Sequence, residues 1–349
     1  MFSSPRVRLG LVLFICCVFV FAAGASAQSS PEKPKIGFLM DSLKVERWQT
    51  DFQSFEKRAR ELGADVVLED SDGNDDLQLK QAQKLLDAHV KTLVIVPHDT
   101  VKAVRIVELA KSKGVPVLSY ERLIRDSDVD FFVGVDAVAI GGLQATALST
   151  AAPKGNYVLL EGSPTDPNSH LMLQGQKKIL QPFVDRGDIK IIAEVWCPDW
   201  NPSEAYTRVT EVLSKNHDPI AAIVASNDGT AGGAIQALEE NKLDGKVAVS
   251  GQDADLAAII RILKGTQSMT VYKPIASIAA QAADAAVALA NGKQPAASGT
   301  VSNGKRDVPS FLGPIIVVKK ENISQTVIKD DFQNLATIKK SLPPEQWPK

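Results

Sequence analysis

Short apolar runs alternate with amphipathic helical runs along almost the whole chain. Residues 35–40 read as a buried strand, and the polar loop at 41–47 leads into a helix ending near residue 62. A strand at 65–69, a helix at 75–88, a strand at 92–96 and a helix at 100–113 closed by Gly114 follow, then strands at 115–119 and 131–135. The pattern restarts with a helix at 137–151, a strand at 157–160, a helix from about 168 to 185 and a strand at 189–195. Helix 203–215, strand 220–225, helix 230–242, strand 246–250, helix 255–264, strand 269–272 and an Ala-rich helix at 276–291 continue it. The tail after Gly292 reads as irregular apart from a strand at 315–318. Repeated β-α-β units with short connections imply parallel sheets covered by helices on both faces. Two such series predict an α/β protein of two doubly wound lobes with a ligand cleft between them.

The first residues stand outside this alternation. Arg6 and Arg8 precede an apolar run at 9–23, and Ala25-Ser26-Ala27 fits a small-residue cleavage site, the layout of a secretory signal. The run is shorter than the roughly 20 residues of a membrane span, so residues 1–27 are expected to be removed and to leave no anchor. Cys16 and Cys17 leave with them, and Cys197 remains alone, which excludes an internal disulfide or a multi-cysteine metal site. Removing two arginines and no acids takes the net charge from 39 − 41 = −2 to 37 − 41 = −4. That balance gives no basic footprint for nucleic acid.

Motifs for catalysis or cofactors are missing. Gly229, Gly232 and Gly233 do not space as a dinucleotide fingerprint, and no phosphate-binding loop occurs. His89, His98, His170 and His217 are scattered. The acidic loop from Asp70 to Asp76 has its glycine too early for a calcium loop and Gln81 at the position of the bidentate acid; a turn and helix cap explain it. Neither a metal nor a cofactor is expected.

Polar and aromatic residues instead gather just beyond successive strands: Arg47 and Trp48, Glu121 and Arg122, Asp166 and Asn168, Trp200, Asn227, Asp253 and Lys273. In open parallel sheets ligands sit outside the carboxyl ends of the strands. Singly, each residue is explained as well by a solvated charge, a helix cap (Asp41 and Asp228 likewise) or a partly buried aromatic. Together they offer three cations against three carboxylates, an amide that both donates and accepts, and flat rings. A neutral pocket of this kind suits an uncharged sugar, whose hydroxyls need paired polar partners and whose C–H face needs an aromatic.

The same residues carry a resemblance. Glu46-Arg47-Trp48-Gln49, Tyr120-Glu121-Arg122, Gly162-Ser163-Pro164-Thr165-Asp166, Trp200, Ala225-Ser226-Asn227-Asp228 with Thr230-Ala231-Gly232-Gly233, Ser250-Gly251-Gln252-Asp253-Ala254-Asp255 and Met269-Thr270-Val271-Tyr272-Lys273-Pro274 resemble, in order, the periplasmic D-xylose-binding proteins, soluble receptors of sugar ABC importers. The resemblance implies a periplasmic binding protein type I fold and a monomer that captures D-xylose or a related monosaccharide and delivers it to a membrane permease. It implies that Arg47, Trp48, Arg122, Asp166, Asn168, Trp200, Asn227, Asp253 and Lys273 contact the pentose, with the two tryptophans sandwiching the ring, and Glu121 joins them as a candidate substrate-binding residue. It also implies an N-terminal lobe of residues 35–135 and 268–294 and a C-terminal lobe of 136–267 and 295–349. Hinges are then expected near 133–136, 265–268 and 292–295. Two positions depart from the family pattern: Glu121 stands where it carries Asp, and Pro167 where it carries Asn. The alternatives are a carbohydrate-active enzyme using two of Glu121, Asp166 and Asp253, and a sugar sensor for chemotaxis or signalling. The pairing of each carboxylate with a donor favours ionised acceptors over a catalytic acid.

Overall fold

The computed structural model describes residues 1–2, 33–44, 46–216 and 218–348. The expected signal segment with Cys16 and Cys17, and His217, lie outside the described residues apart from Met1 and Phe2. The chain divides into residues 1–32 and 33–349, and the second unit carries the fold.

Strand β1 (Lys35–Met40) shows why these runs become central strands. Phe38 and Met40 enter one core layer with Phe55, while Leu39 enters the layer on the opposite face. A strand covered on both sides has no polar face to display, so its sequence is a continuous apolar run. The chain continues through α1 (Glu46–Glu61), β2 (Asp65–Asp70), α2 (Asp75–Asp87), β3 (Thr92–Ile95), α3 (Val104–Ser112), β4 (Val117–Tyr120) and β5 (Phe131–Gly134). The acidic loop before α2 acts as a cap, with Asn74 Oδ1 accepting from Leu77 N at 2.9 Å.

The second series comprises α4 (Ala137–Ala151), β6 (Gly155–Glu161), α5 (Pro167–Asp185), β7 (Ile189–Trp196), α6 (Pro202–Lys215), β8 (Ile220–Ala225), α7 (Asp228–Glu240), β9 (Ala248–Val249) and α8 (Leu256–Lys264). After it come β10 (Thr270–Tyr272), α9 (Ile275–Ala290), β11 (Gly299–Ser302), β12 (Asp307–Leu312), β13 (Ile316–Val318) and α10 (Leu335–Lys340). Among the described residues one sheet has the order β11-β12-β5-β4-β3-β1-β2 and another the order β7-β6-β8-β9. β10 and β13 form an antiparallel pair beside the smaller sheet, joined to it by a bridge between Gln252 and Val271. Helices α1 and α9 cover one face of the larger sheet, and α2 and α3 the other. The smaller sheet lies between α4/α5 and α6/α7. The doubly wound α/β architecture is therefore present in both. No helix among the described residues is long and apolar enough to cross a membrane.

The tail departs from the sequence reading. Residues 299–312, expected with the second lobe, form a hairpin whose β12 pairs in parallel with β5, so they extend the first sheet. Pro309 inside β12 weakens its strand signal, and its pairing partner is remote in sequence. The strand 270–272, expected with the first lobe, lies against the second sheet instead, and the chain returns to the first only in α9. Among the described residues the chain thus passes between the sheets after Gly134, after Tyr272 and after Leu312. Only the first of these coincides with an expected hinge.

Close packing of α4 on α5 fixes the base of the second series. A Cβ placed on Gly141 would lie 1.9 Å from the carbonyl oxygen of Met172, and one on Gly175 would lie 2.0 Å from that of Val138. Backbone cannot give way as a flexible side chain does. Gly141→Ala is expected to lower unfolding stability by about 1–3 kcal/mol, read from denaturant midpoints. An unchanged midpoint would mean that the two helices separate freely.

Candidate functional site

The carboxyl ends of strands in both sheets face one cavity. It is lined by Arg47 and Trp48 from the start of α1, Glu121 and Arg122 after β4, and Val135, Ala137 and Ile140 where β5 leads into α4. Asp166 caps α5, whose Asn168 and Met172 also line the cavity, with Trp200 from beyond β7, Asn227 from beyond β8, Gln252 and Asp253 from beyond β9, and Lys273 from beyond β10. All ten residues singled out in the sequence lie on this wall. The cavity holds about 520 Å³ of unoccupied space counted out to its mouth.

Its charges are buried and interlocked. Glu121 is 3 % exposed, and its Oε1 accepts from Arg47 Nη1 at 2.8 Å and Lys273 Nζ at 2.9 Å. Burial pushes its pKa up, but the two cations outweigh burial and hold it down at about 2. Arg47 also grips Asp51 through Nε at 3.2 Å and Nη2 at 2.8 Å. Burial works against the Arg47 charge, yet Asp51, Glu121 and Asp253 raise its pKa well above the usual arginine value. Tyr120 Oη donates to Asp51 at 2.5 Å, which fixes that carboxylate from behind.

The second cation is shared in the same way. Arg122 meets Asp166 through Nε at 2.7 Å and donates through Nη1 to Asp41 at 2.6 Å and to the carbonyl of Pro97 at 3.0 Å. Asp41 is bound in turn by His98 Nδ1 at 2.9 Å. Burial opposes its ionisation, but His98 and Arg122 lower its pKa. Asp41 is thus an ion-pair partner rather than a cap. Lys273 Nζ lies 2.9 Å from Asp253 Oδ1, and Arg47 Nη1 lies 3.6 Å from it. Asn168 Nδ2 donates to the Glu121 carbonyl at 3.0 Å. Arg122–Asp166, Lys273–Asp253 and Asn168–Glu121 each join elements at the ends of different strands.

Local structure explains how each group is aimed. Asp166 and Asn227 are the N-caps of α5 and α7, accepting from Asn168 N and Thr230 N, each at 2.9 Å. Pro167 occupies the first position of α5, where its missing N–H would have no intrahelical partner; the departure from the family pattern is sterically free. Trp200 is half-buried, with Nε1 donating to Asp166 Oδ2 at 3.2 Å. Its ring lies against Gly162, where a Cβ would come within 2.3 Å of it. Trp48 is buried beneath two guanidinium groups, at 4.3 Å for Arg47 and 5.6 Å for Arg122 from its centroid. Glu121, Trp200 and Asp253 have φ values of 63°, 57° and 99°. Such backbone costs about 1–3 kcal/mol per residue, survives only where its surroundings enforce it, and clusters at functional sites.

Three buried polar atoms on the cavity wall have no hydrogen-bond partner: Trp48 Nε1, a donor, and the acceptors Glu121 Oε2 and Asp253 Oδ1, the last facing Lys273 only as an ion pair. Native interiors rarely leave such groups unpaired. The wall can therefore offer a neutral molecule at least one strong charge-assisted acceptor and one donor, beside aromatic and apolar surface from Trp200, Val135 and Met172. Among the described residues no cluster of His, Cys, Asp and Glu could hold a metal ion.

Sequence reading missed Gln252, which is 6 % exposed on the cavity wall, although it stands within the polar run after β9. It also missed the apolar lining from α4 and α5, whose residues carry no signal distinct from core.

The chain is similar in sequence and shape to known proteins. A family profile described as "Periplasmic binding protein domain" matches residues 36–294. The D-xylose-binding periplasmic protein of Escherichia coli K12 is 46% identical over 326 residues, covering 93% of this chain and 98% of that protein. The protein of the same name from Haemophilus influenzae is 40% identical over 95% of this chain and 99% of its own length. A carbohydrate transporter solute-binding protein from Chloroflexus aurantiacus, solved in complex with D-glucose, superposes with a TM-score of 0.82 at 29% identity, covering 87% of this chain and 98% of that one.

The low pKa of Glu121 has a thermodynamic consequence. Its folded value of about 2 lies below the ordinary 4.5, so its contribution to stability is fully present above about pH 4.5 and is lost as pH falls through 2. The gap corresponds to on the order of 3 kcal/mol. Glu121→Gln is expected to flatten that part of the acid limb in pH-dependent unfolding. An unchanged acid limb would show that Arg47 and Lys273 do not hold the carboxylate as charged.

Proposed function

The chain belongs to the periplasmic binding protein family, and from that premise we propose that it is the receptor that captures D-xylose in the cleft between its two sheets and passes it to the membrane permease of an ABC importer. The observation that carries the reading is Glu121: an ionised, buried carboxylate with one oxygen held by Arg47 and Lys273 and the other unpartnered. Sugar hydroxyls are suited to that acceptor, and Trp200 offers a flat surface to the C–H face of a pyranose. Arg47, Arg122 and Lys273 balance Glu121, Asp166 and Asp253, so the wall favours an uncharged polyol over a sugar phosphate or acid. The names of the two relatives above 40% or at 40% identity support D-xylose as the ligand. Export through a signal removed after residue 27 fits a periplasmic site of action.

The family is one of solute-binding proteins, and the electrostatics are those of a binding site. A glycosidase needs a carboxylic acid kept protonated to donate to the leaving oxygen, whereas Glu121 is held at about 2.

Calorimetric titration of the purified protein with D-xylose is expected to show one-to-one binding that survives EDTA. Glu121→Gln is expected to weaken it by about tenfold to a hundredfold, the cost of charge-assisted bonds to a buried acceptor, while Trp200→Ala weakens binding more than it lowers the melting temperature. Absence of D-xylose binding, or native affinity in Glu121→Gln, would reject the proposal. Turnover of xylosides at an enzyme's rate would reject it as well.

Ligand groups come from both sheets, so a sugar bonded to both walls favours the form in which they approach. A ligand shifts such an equilibrium only through its difference in affinity for the two forms. The three connections after Gly134, Tyr272 and Leu312 are the places where hinge motion between the sheets is available. Small-angle scattering is expected to show a smaller radius of gyration on adding D-xylose; an unchanged radius at saturation would exclude hinge closure.

A further inference from the structure

Behind the part of the wall that carries Asp253 lies a set of buried side chains that do not line the cavity. Asp253 and Ala254 turn with φ values of 99° and 54°, a pair of conformations that neither residue adopts readily. Four hydrogen bonds enforce the turn. Asp253 N donates to the Val271 carbonyl at 2.9 Å, and Ala254 N donates to Thr270 Oγ1 at 3.1 Å. The Ala254 carbonyl accepts from Gln333 Nε2 at 2.9 Å, and Asp255 N donates to Asp228 Oδ2 at 3.0 Å.

These partners are themselves fixed. Thr270 Oγ1 donates to Asp228 Oδ2 at 2.8 Å, so one hydroxyl accepts from the turn and donates to the carboxylate. Asp228 Oδ1 accepts from Gln267 Nε2 at 2.7 Å, and Gln267 Oε1 accepts from Arg261 Nε at 2.9 Å. Asp228, Gln267 and Thr270 are all 2 % exposed or less. Space for the carboxylate exists because residue 251 is glycine: a Cβ there would lie 1.9 Å from Asp228 Oδ1. The fourth partner, Gln333, belongs to the tail, whose Val318, Ile323, Val327 and Ile338 share a core with α8 and Tyr272.

A scaffold this complete does more than close a loop. The carboxylate it aims reaches Lys273 at 2.9 Å and Arg47 at 3.6 Å, and small rotations of the turn would move Asp253 off both. We infer that Thr270, Asp228 and Gln333 are positioning residues that hold the Asp253–Ala254 turn and so set affinity and the choice among pentoses without touching the ligand. The inference rests on the reading of the cavity as a sugar site.

The experiment uses isosteric variants of the purified protein, titrated with D-xylose and D-ribose well below the melting temperature. Thr270→Val keeps the shape and removes both hydrogen bonds; Thr270→Ser restores them. Thr270→Val is expected to bind D-xylose about tenfold more weakly, from the stranded Ala254 N–H and the loss of one of the donors to Asp228, and to change the D-xylose to D-ribose affinity ratio. Thr270→Ser is expected to stay within about twofold of native affinity. Should Thr270→Val not fold, Gln333→Ala, at the partly exposed edge, carries the test with a severalfold loss. Folded variants that bind both sugars as the native protein does, whatever their melting temperatures, overturn the inference. Asp253→Asn separates the two levels. If it also binds normally, the sugar-site reading fails; if it alone loses binding, only the positioning role fails.

Discussion

A charge removed from water must be met by an opposite charge or several hydrogen bonds, at a cost of several kcal/mol if it is not. The cavity wall gathers Arg47, Arg122, Lys273, Glu121, Asp166 and Asp253, all under 8 % exposed, together with Asp41 and Asp51 just behind them. None is tolerable alone. Apart from Glu121 and Arg122 after β4, and Arg47 and Asp51 on α1, they come from different strand ends and helix starts, so their pairing ties the two sheets and their connections into one arrangement. The strained backbone at Glu121 and Asp253 is one expression of that constraint, since each carboxylate must reach Lys273; at Trp200 it aims the indole N–H at Asp166. On the wall itself three cations meet three carboxylates, the balance on which the proposed preference for an uncharged ligand rests.

The wall is built from charges that are already paired with one another. Glu121 is locked as an acceptor, Arg47 and Arg122 are each paired with two carboxylates, and the thiol of Cys197 is buried, with a pKa that burial pushes up to about 12. In the proposed function, what remains adjustable is the contact with hydroxyls, where the longer reach of Glu121 relative to an aspartate would bear on selectivity. A methylene in a pocket is typically worth about 1–3 kcal/mol.

The doubly wound alternation and the polar strand ends were legible because both are local: an apolar run, a following loop, a capping residue. Arg47, Trp48, Glu121 and Arg122 could be picked out from position alone. Asp51 could not, because a carboxylate in an amphipathic helix looks solvated until Arg47 and Tyr120 are seen to enclose it. Gln252 and the apolar residues of α4 and α5 were hidden for the same reason, having the composition of ordinary loop and core. The hairpin β11–β12 was missed because Pro309 masks a strand whose partner, β5, lies far back along the chain. The tail as a whole was assigned to one lobe when its first part serves the other sheet.

That last pairing governs the order in which the molecule can be made. Ser310 pairs with Phe132, 310 − 132 = 178 positions earlier, and the second sheet lies almost entirely within the interval. A chain emerging from its N terminus can build β1 to β5 early, but the exposed edge of β5 waits for residue 312. An unpaired edge of that kind is a template for wrong partners, and pairings across long separations form slowly. The topology therefore delays completion of the first sheet until nearly the whole polypeptide is available.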